Sequence, residues 1–271
     1  MNWLLEPLTY EFMQRGLAAS VVVGMLCAVM GTYVVLRGMA FLGDAMAHAI
    51  LPGVAIAYIL KDDLLIGAGA AAIAIALTIG FFTKDGAVKE DTAIGILFAA
   101  ALSLGVALIS TMQTYAVDLS HILFGNVLGV SVGDLWLIGG LSFAILLMVV
   151  ILYKPFLVIS FDPVLAATLR LPAEFLRNLM LVLLALTVVV SVQTVGVSLA
   201  AAMLVTPAAT AYLLTRRLAP MMIVSALIGA LSSVIGLYIS YYFNIVSGSA
   251  IVLTATLFFL LGFIWKRLRK A

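Results

Sequence analysis

The sequence predicts an all-α, polytopic membrane fold, on three observations. Of its 271 residues, 65% are hydrophobic and only 10% are charged, which leaves too few polar side chains to cover a soluble domain. Apolar runs of about 20 residues recur throughout, the length a helix needs to cross a hydrocarbon core. The polar connections between them are short, so residues 1–271 read as a single transmembrane domain.

Taken in order, the runs place membrane spans at about 14–36, 41–60, 64–82, 92–111, 134–153, 174–193, 196–214, 219–242 and 249–265. Charged residues separate most of them: Arg37, Lys61 to Asp63, Lys84 to Asp91, Lys154, Arg216 and Arg217, with Lys266 closing the last. Only the sixth and seventh runs meet without a charge, at Val195–Gly196, where a broken or re-entrant segment is the alternative. The count is therefore eight or nine.

Nine spans put the termini on opposite sides, and the positive-inside rule then places the N-terminus outside and the C-terminus in the cytoplasm. Of the 14 basic residues, only Arg15 and Lys61 then face outward. Glu6, Glu11, Asp62, Asp63, Asp118 and Asp134 fall on the outer side, either as solvated loop ends or as an acidic rim that draws cations to the mouth. Glu6 and Glu11 precede the first basic residue, a pattern unlike a secretory signal. The single Cys27 lies in an apolar run and offers neither a disulfide framework nor a thiolate cluster.

Two connections are more than turns. The outer segment from Met112 to Gly133 carries Gly125, Gly129 and Gly133, a spacing that permits close helix approach. It also holds His121, which reads either as a structural hydrogen-bonding residue or as an entry ligand. The inner segment from Lys154 to Glu174 contains Asp162–Pro163, a cap acceptor followed by a residue with preset φ and no N–H to orphan. A helix over about 161–171 is expected on the inner face, stopped by Leu171–Pro172, serving as a capped loop or as a docking surface. Further on, Pro207 releases the Met203 carbonyl within VGVSLAAAMLVTPA, which suits a broken helix beside a pathway or plain close packing.

The chemistry concentrates between Arg37 and Ile59, where Asp44 and His48 are set in an otherwise apolar run. Four helical residues advance about 400° and about 6 Å, so both side chains share one face. Such a pair admits two readings, a buried ion pair or an oxygen and a nitrogen donor for one divalent cation. Pro52 lacks an N–H and frees the His48 carbonyl as a third possible oxygen. Ionisable groups at membrane depth are costly and mark pathways.

The strings VLRGMAFLGDAMAHAILPGVA, KEDTAIGILFA, LSHILFGNVLGVS, SFDPVLAATL, VGVSLAAAMLVTPAATA and SYYFNIVSGSAIVL run in this order over nearly the whole chain. They resemble the permease subunits of bacterial ABC-type manganese and zinc importers. The resemblance implies a permease homodimer in the cytoplasmic (inner) membrane, two cytoplasmic ATP-binding cassette subunits, and an extracytoplasmic metal-binding protein. It places the family's metal-binding Asp and His on Asp44 and His48, and its cytoplasmic coupling helix on the stretch from Phe161, Asp162 and Pro163. It also implies no permanently bound cofactor, with Mn2+ or Zn2+ as cargo, and lipid but no nucleic acid as a partner.

No G-x-x-x-x-G-K-[ST] motif occurs in the chain, so it does not cradle nucleotide phosphates by itself. It is not expected to be an enzyme; the ATPase would be another subunit. The competing reading is a proton-coupled secondary metal carrier that uses Asp44 and His48 as a relay. Such carriers scatter more ionisable groups through their spans. Oxygen and imidazole donors suit manganese, iron or zinc and do not choose among them. In the coupling-helix reading, Asp162→Ala removes about 1 kcal/mol of capping and lowers metal-stimulated ATP turnover more than metal binding. Normal transport by the variant with its ATPase would remove that role.

Overall fold

The computed structural model describes residues 6–84, 86, 88–111, 127–161 and 163–269. Its helices are α1 (Glu11–Leu36), α2 (Leu42–Ala49), α3 (Leu51–Leu60), α4 (Leu64–Thr83), α5 (Glu90–Ser110) and α6 (Val132–Ile151). There follow α7 (Tyr153–Phe161), α8 (Pro163–Thr168), α9 (Ala173–Val195), α10 (Val197–Leu214), α11 (Leu218–Phe243) and α12 (Ser247–Leu268). Among the described residues, eight runs are long and apolar enough to cross a membrane, α2 and α3 forming one of them over Leu42–Leu60. Helix α10 makes a ninth traverse. A Cβ on Gly248 would lie 3.7 Å from Leu199, and one on Gly262 3.1 Å from Thr210, so α10 runs beside α12 in the same direction.

The turn between α9 and α10 is one residue. Gly196 adopts φ 81° and ψ 169°, a region open essentially to glycine alone. At this boundary the chain reverses instead of continuing as one broken span.

The bundle has two distinguishable ends. Glu6, Phe12 and Val127 share a cavity with Tyr241, Asn244 and Gly248, which marks one end. Arg37 pairs with Glu90 and Lys84 with Glu174 at the other. Helix direction then carries every described basic residue except Arg15 and Lys61 to the Arg37 end.

Backbones approach closely where side chains are small. A Cβ on Gly229 would stand 2.5 Å from the Gly24 carbonyl, and one on Gly53 2.1 Å from that of Gly67. Ser225 donates to the Ala28 carbonyl at 2.6 Å and Ser233 to that of Ser20 at 2.9 Å, tying α11 to α1. Interhelical bonds of this kind contribute about 0.6–2 kcal/mol each in a bilayer. The tightest crossing is α1 on α10, where a Cβ on Gly31 would lie 1.7 Å from the Leu204 carbonyl.

Helix ends differ from the sequence expectation for local reasons. Helix α1 starts at Glu11, which accepts from Arg15 one turn later at 2.5 Å. Helix α6 starts at Val132 because Ser131 and Asp134 form a reciprocal capping box. Asp63 caps α4 by accepting from Leu65 N–H at 2.8 Å. Three acids of the expected outer rim therefore serve local structure. Asp118 and His121 lie outside the described residues.

On the inner connection, α7 was not anticipated, because Lys154–Pro155 reads as the end of a span. A proline in the first turn of a helix removes only an N–H that has no intrahelical partner there. Phe156 of α7 is fully buried and meets Tyr33 edge-on, with ring centroids 5.8 Å apart. Helix α8 has six residues, Pro163–Thr168, shorter than the helix expected over about 161–171. Arg170 takes φ 52° beyond it, and Leu171 N–H returns to the Ala166 carbonyl at 3.0 Å. Phe161 is exposed; Asp162 lies outside the described residues.

The crossings predict opposite outcomes for two Gly→Ala changes. Gly31→Ala must push α10 off α1 and lowers the thermal midpoint in detergent by several degrees. Gly139→Ala, with nothing within 4 Å of its Cβ, leaves the midpoint unchanged or raises it, since alanine gains about 0.5–1 kcal/mol over glycine inside a helix. Equal responses at both positions would contradict this packing.

Candidate metal site

The site begins at the end of α1. Gly38, at φ 70°, sends Met39 N–H back to the Val34 carbonyl at 3.0 Å and its own N–H to Val35 at 3.2 Å, closing the helix in a left-handed glycine cap. Helix α2 starts four residues later, at Leu42, with Asp44 in its first turn, where the helix dipole favours a negative charge, and His48 in its last.

The two faces of α2 differ. Gly43 presses on α10, where its Cβ would meet Leu204 at 3.1 Å and Ala201 at 3.4 Å. Leu42, Ala45, Met46, Ala47 and Ala49 are also buried. Phe41, Asp44 and His48 form the open stripe, with 45% of the Asp44 side chain and 27% of the His48 side chain exposed. The two predicted ligands thus share an accessible face. His48 Nδ1 stands 3.8 Å from Asp44 Oδ1, beyond a direct hydrogen bond.

That ring nitrogen instead lies 3.0 Å from the Asp44 carbonyl oxygen. A carbonyl only accepts, so in the neutral imidazole Nδ1 carries the proton. Nε2 is then left with its lone pair, the state a metal requires. One backbone oxygen thereby sets the tautomer and holds the ring.

Helix α5 forms the second wall. Phe98 meets the His48 ring edge-on with centroids 5.8 Å apart, and Phe41 likewise at 5.5 Å. Higher on α5, Gly105 sits against Leu51 and Pro52, where its Cβ would be 2.9 Å and 3.2 Å from the nearest atoms. At its base, Glu90 pairs with Arg37, which directly follows α1. Phe98 escaped the sequence reading because one phenylalanine in an apolar span carries no periodic signal.

Helix α2 ends at Ala49 and α3 restarts at Leu51 with Pro52 in its first turn. Pro52 leaves the His48 carbonyl without its usual donor, and the Ile50 N–H turns toward it. The opened helix expected from Pro52 is present as this break. Among the described residues no group of three or more His, Cys, Asp or Glu side chains gathers. A cation held by Asp44 and His48 would have to complete its shell with carbonyls, water or groups from elsewhere.

Comparison with known proteins agrees along the whole chain. A family model described as the ABC 3 transport family matches residues 9–266. The manganese transport system membrane protein MntC of Halalkalibacterium halodurans is 46% identical over 95% of this chain and 88% of its own length. A probable iron transport system membrane protein of Haemophilus influenzae is 40% identical over 99% of this chain and 98% of its own. PsaBC from Streptococcus pneumoniae, solved in complex with Fab, superimposes with a TM-score of 0.85 at 43% identity, covering 97% of this chain and 94% of that one.

An edge-to-face aromatic contact contributes about 0.5–1.5 kcal/mol. Phe98→Ala is therefore expected to weaken Mn2+ binding to the purified chain by roughly two- to tenfold, with the thermal midpoint little changed. Unaltered affinity would show that Phe98 does not hold the imidazole.

Proposed function

Because this chain belongs to the ABC 3 transport family, we propose that it is the permease of an ATP-driven importer carrying a divalent transition metal, manganese first, across the cytoplasmic membrane. The observation that carries the reading is full-length similarity to manganese permeases, joined to one acid and one imidazole on the open face of α2. The similarity to ABC permeases also disfavours a proton-coupled carrier.

In this reading Asp44 supplies charge and an oxygen, and His48 supplies Nε2, its other nitrogen being tied to the Asp44 carbonyl. Two side-chain donors make a site of moderate affinity, as a transport site must also release its cargo. The donor set accepts Fe2+ and Zn2+ as well as Mn2+, and the affinity order alone favours zinc over manganese. Selection of manganese then comes from the rest of the shell and from delivery. His121 is a further candidate ligand on the outer side.

Energy comes from elsewhere. Two copies of the chain pair in the membrane, and two ATP-binding subunits dock below. A metal-binding protein delivers from outside. Phe161, Asp162 and Pro163 start the element that meets the ATPase. The basic end of the bundle faces the cytoplasm by the positive-inside rule, leaving the first residues outside.

Asp44→Asn and His48→Ala are each expected to reduce uptake of radiolabelled Mn2+ to background in cells that retain normal amounts of assembled transporter. His48 offers its nitrogen to the cation only as the neutral ring, because a protonated imidazole has no lone pair for a metal. Wild-type uptake by the double variant would remove both residues from the route.

A further inference from the structure

A cavity of about 260 Å3 opens at the basic end of the bundle, away from the metal-site stripe. Its charged floor is Arg37 and Arg177. Ile159, Ala166 and Ala173 wall it, the first two from α7 and α8. Lys84 and Glu174, paired at 2.9 Å, stand at its rim with about half of each side chain exposed.

The floor has more donors than acceptors. Arg177 donates from its two terminal nitrogens to the Thr83 and Gly80 carbonyls, at 3.0 Å and 2.9 Å, while its Nε is buried with no partner. Arg37 donates one terminal nitrogen to Glu90 and points the other at Met180 Sδ, 3.9 Å away, a weak acceptor. Only 12% of the Arg37 side chain is exposed. Burial pushes its guanidinium below the ordinary value; Glu90 opposes this and Arg177 adds to it. Two guanidinium groups lining one cavity, one of them with an unpartnered Nε–H, are what a phosphate group satisfies, since guanidinium matches phosphate geometry.

The surroundings favour a lipid as the source. Phe81 and Phe82 precede Lys84, Phe175 follows Glu174, and all three rings are exposed. Acyl chains can lie against these rings while the headgroup enters between Lys84 and Glu174. Basic pockets between spans at the cytoplasmic face are the recurrent form of phospholipid recognition.

We propose that the cavity between Arg37, Arg177 and helices α7 and α8 is a binding site for a phosphate-bearing anion, the headgroup of an anionic phospholipid. The proposal does not rest on the metal reading, since neither Asp44 nor His48 lines the cavity. Its occupant braces α7 and α8 against the ends of α1, α4 and α9.

The test uses the full chain, with two variants that block the cavity in different ways. Ala173→Phe fills it without changing charge, and Arg37→Gln combined with Glu90→Gln removes the guanidinium while keeping the pair matched. In nanodiscs of phosphatidylcholine doped with phosphatidylglycerol, native mass spectrometry should find one phosphatidylglycerol retained per wild-type chain. Both variants should lose at least tenfold in retention. In a second arm, inorganic phosphate is titrated into delipidated protein in detergent and the thermal midpoint is followed. A variant-sensitive rise with phosphate, without lipid retention, supports the same anion chemistry from a free source. If wild type and Ala173→Phe behave alike in both arms, the proposal is overturned. It is overturned equally if the variants differ only once an ATPase subunit is added, because the cavity would then receive a protein side chain.

Discussion

Leu204 stands where three helices meet, and the positions of the others follow from it. Its carbonyl lies against Gly31 of α1, and its side chain lies against Gly43 of α2. A bilayer supplies no hydrophobic drive between helices, so contact must come from close fit and from interhelical hydrogen bonds. Two glycines let α10 reach both neighbours at once. Since Gly43 immediately precedes Asp44, pressing one face of α2 onto α10 turns the acid and the imidazole to the open side. The carboxylate is thus aimed by the absence of a side chain next to it.

The spans, and the placing of Asp44 and His48 on one helix face, were legible from composition and spacing. Apolar length gives the spans, because a hydrocarbon core admits no unsatisfied backbone. Two ionisable residues at i and i+4 among apolar neighbours stand out for the same reason. The two runs around Gly196 were ambiguous because a glycine permits either a break or a reversal, and only the path of α10 beside α12 decides. Asp134 and Asp63 looked like a charged rim but are caps, a distinction that depends on hydrogen bonds within one turn.

The remaining features depend on contacts between distant parts of the chain. Arg37 counts as one more inward-facing cation in the sequence, yet in the fold it is largely buried, bound to Glu90 and close to Arg177. Phe98 is an ordinary apolar residue until α5 lies beside α2. Helix α7 is hidden by Lys154–Pro155 because propensity ends the span there, while burial of Phe156 against Tyr33 extends it. Each of these outcomes is set by tertiary packing that overrides the local signal.

The single-residue elbow at Gly196 has a mechanical consequence. With no slack between them, α9 and α10 cannot slide lengthwise past one another; they can only tilt together about their shared tip. The foot of α9 carries Arg177 and adjoins the inner connector, and the middle of α10 carries Leu204. Leverage applied at that foot therefore arrives, through a stiff joint, at the helix on which α2 leans.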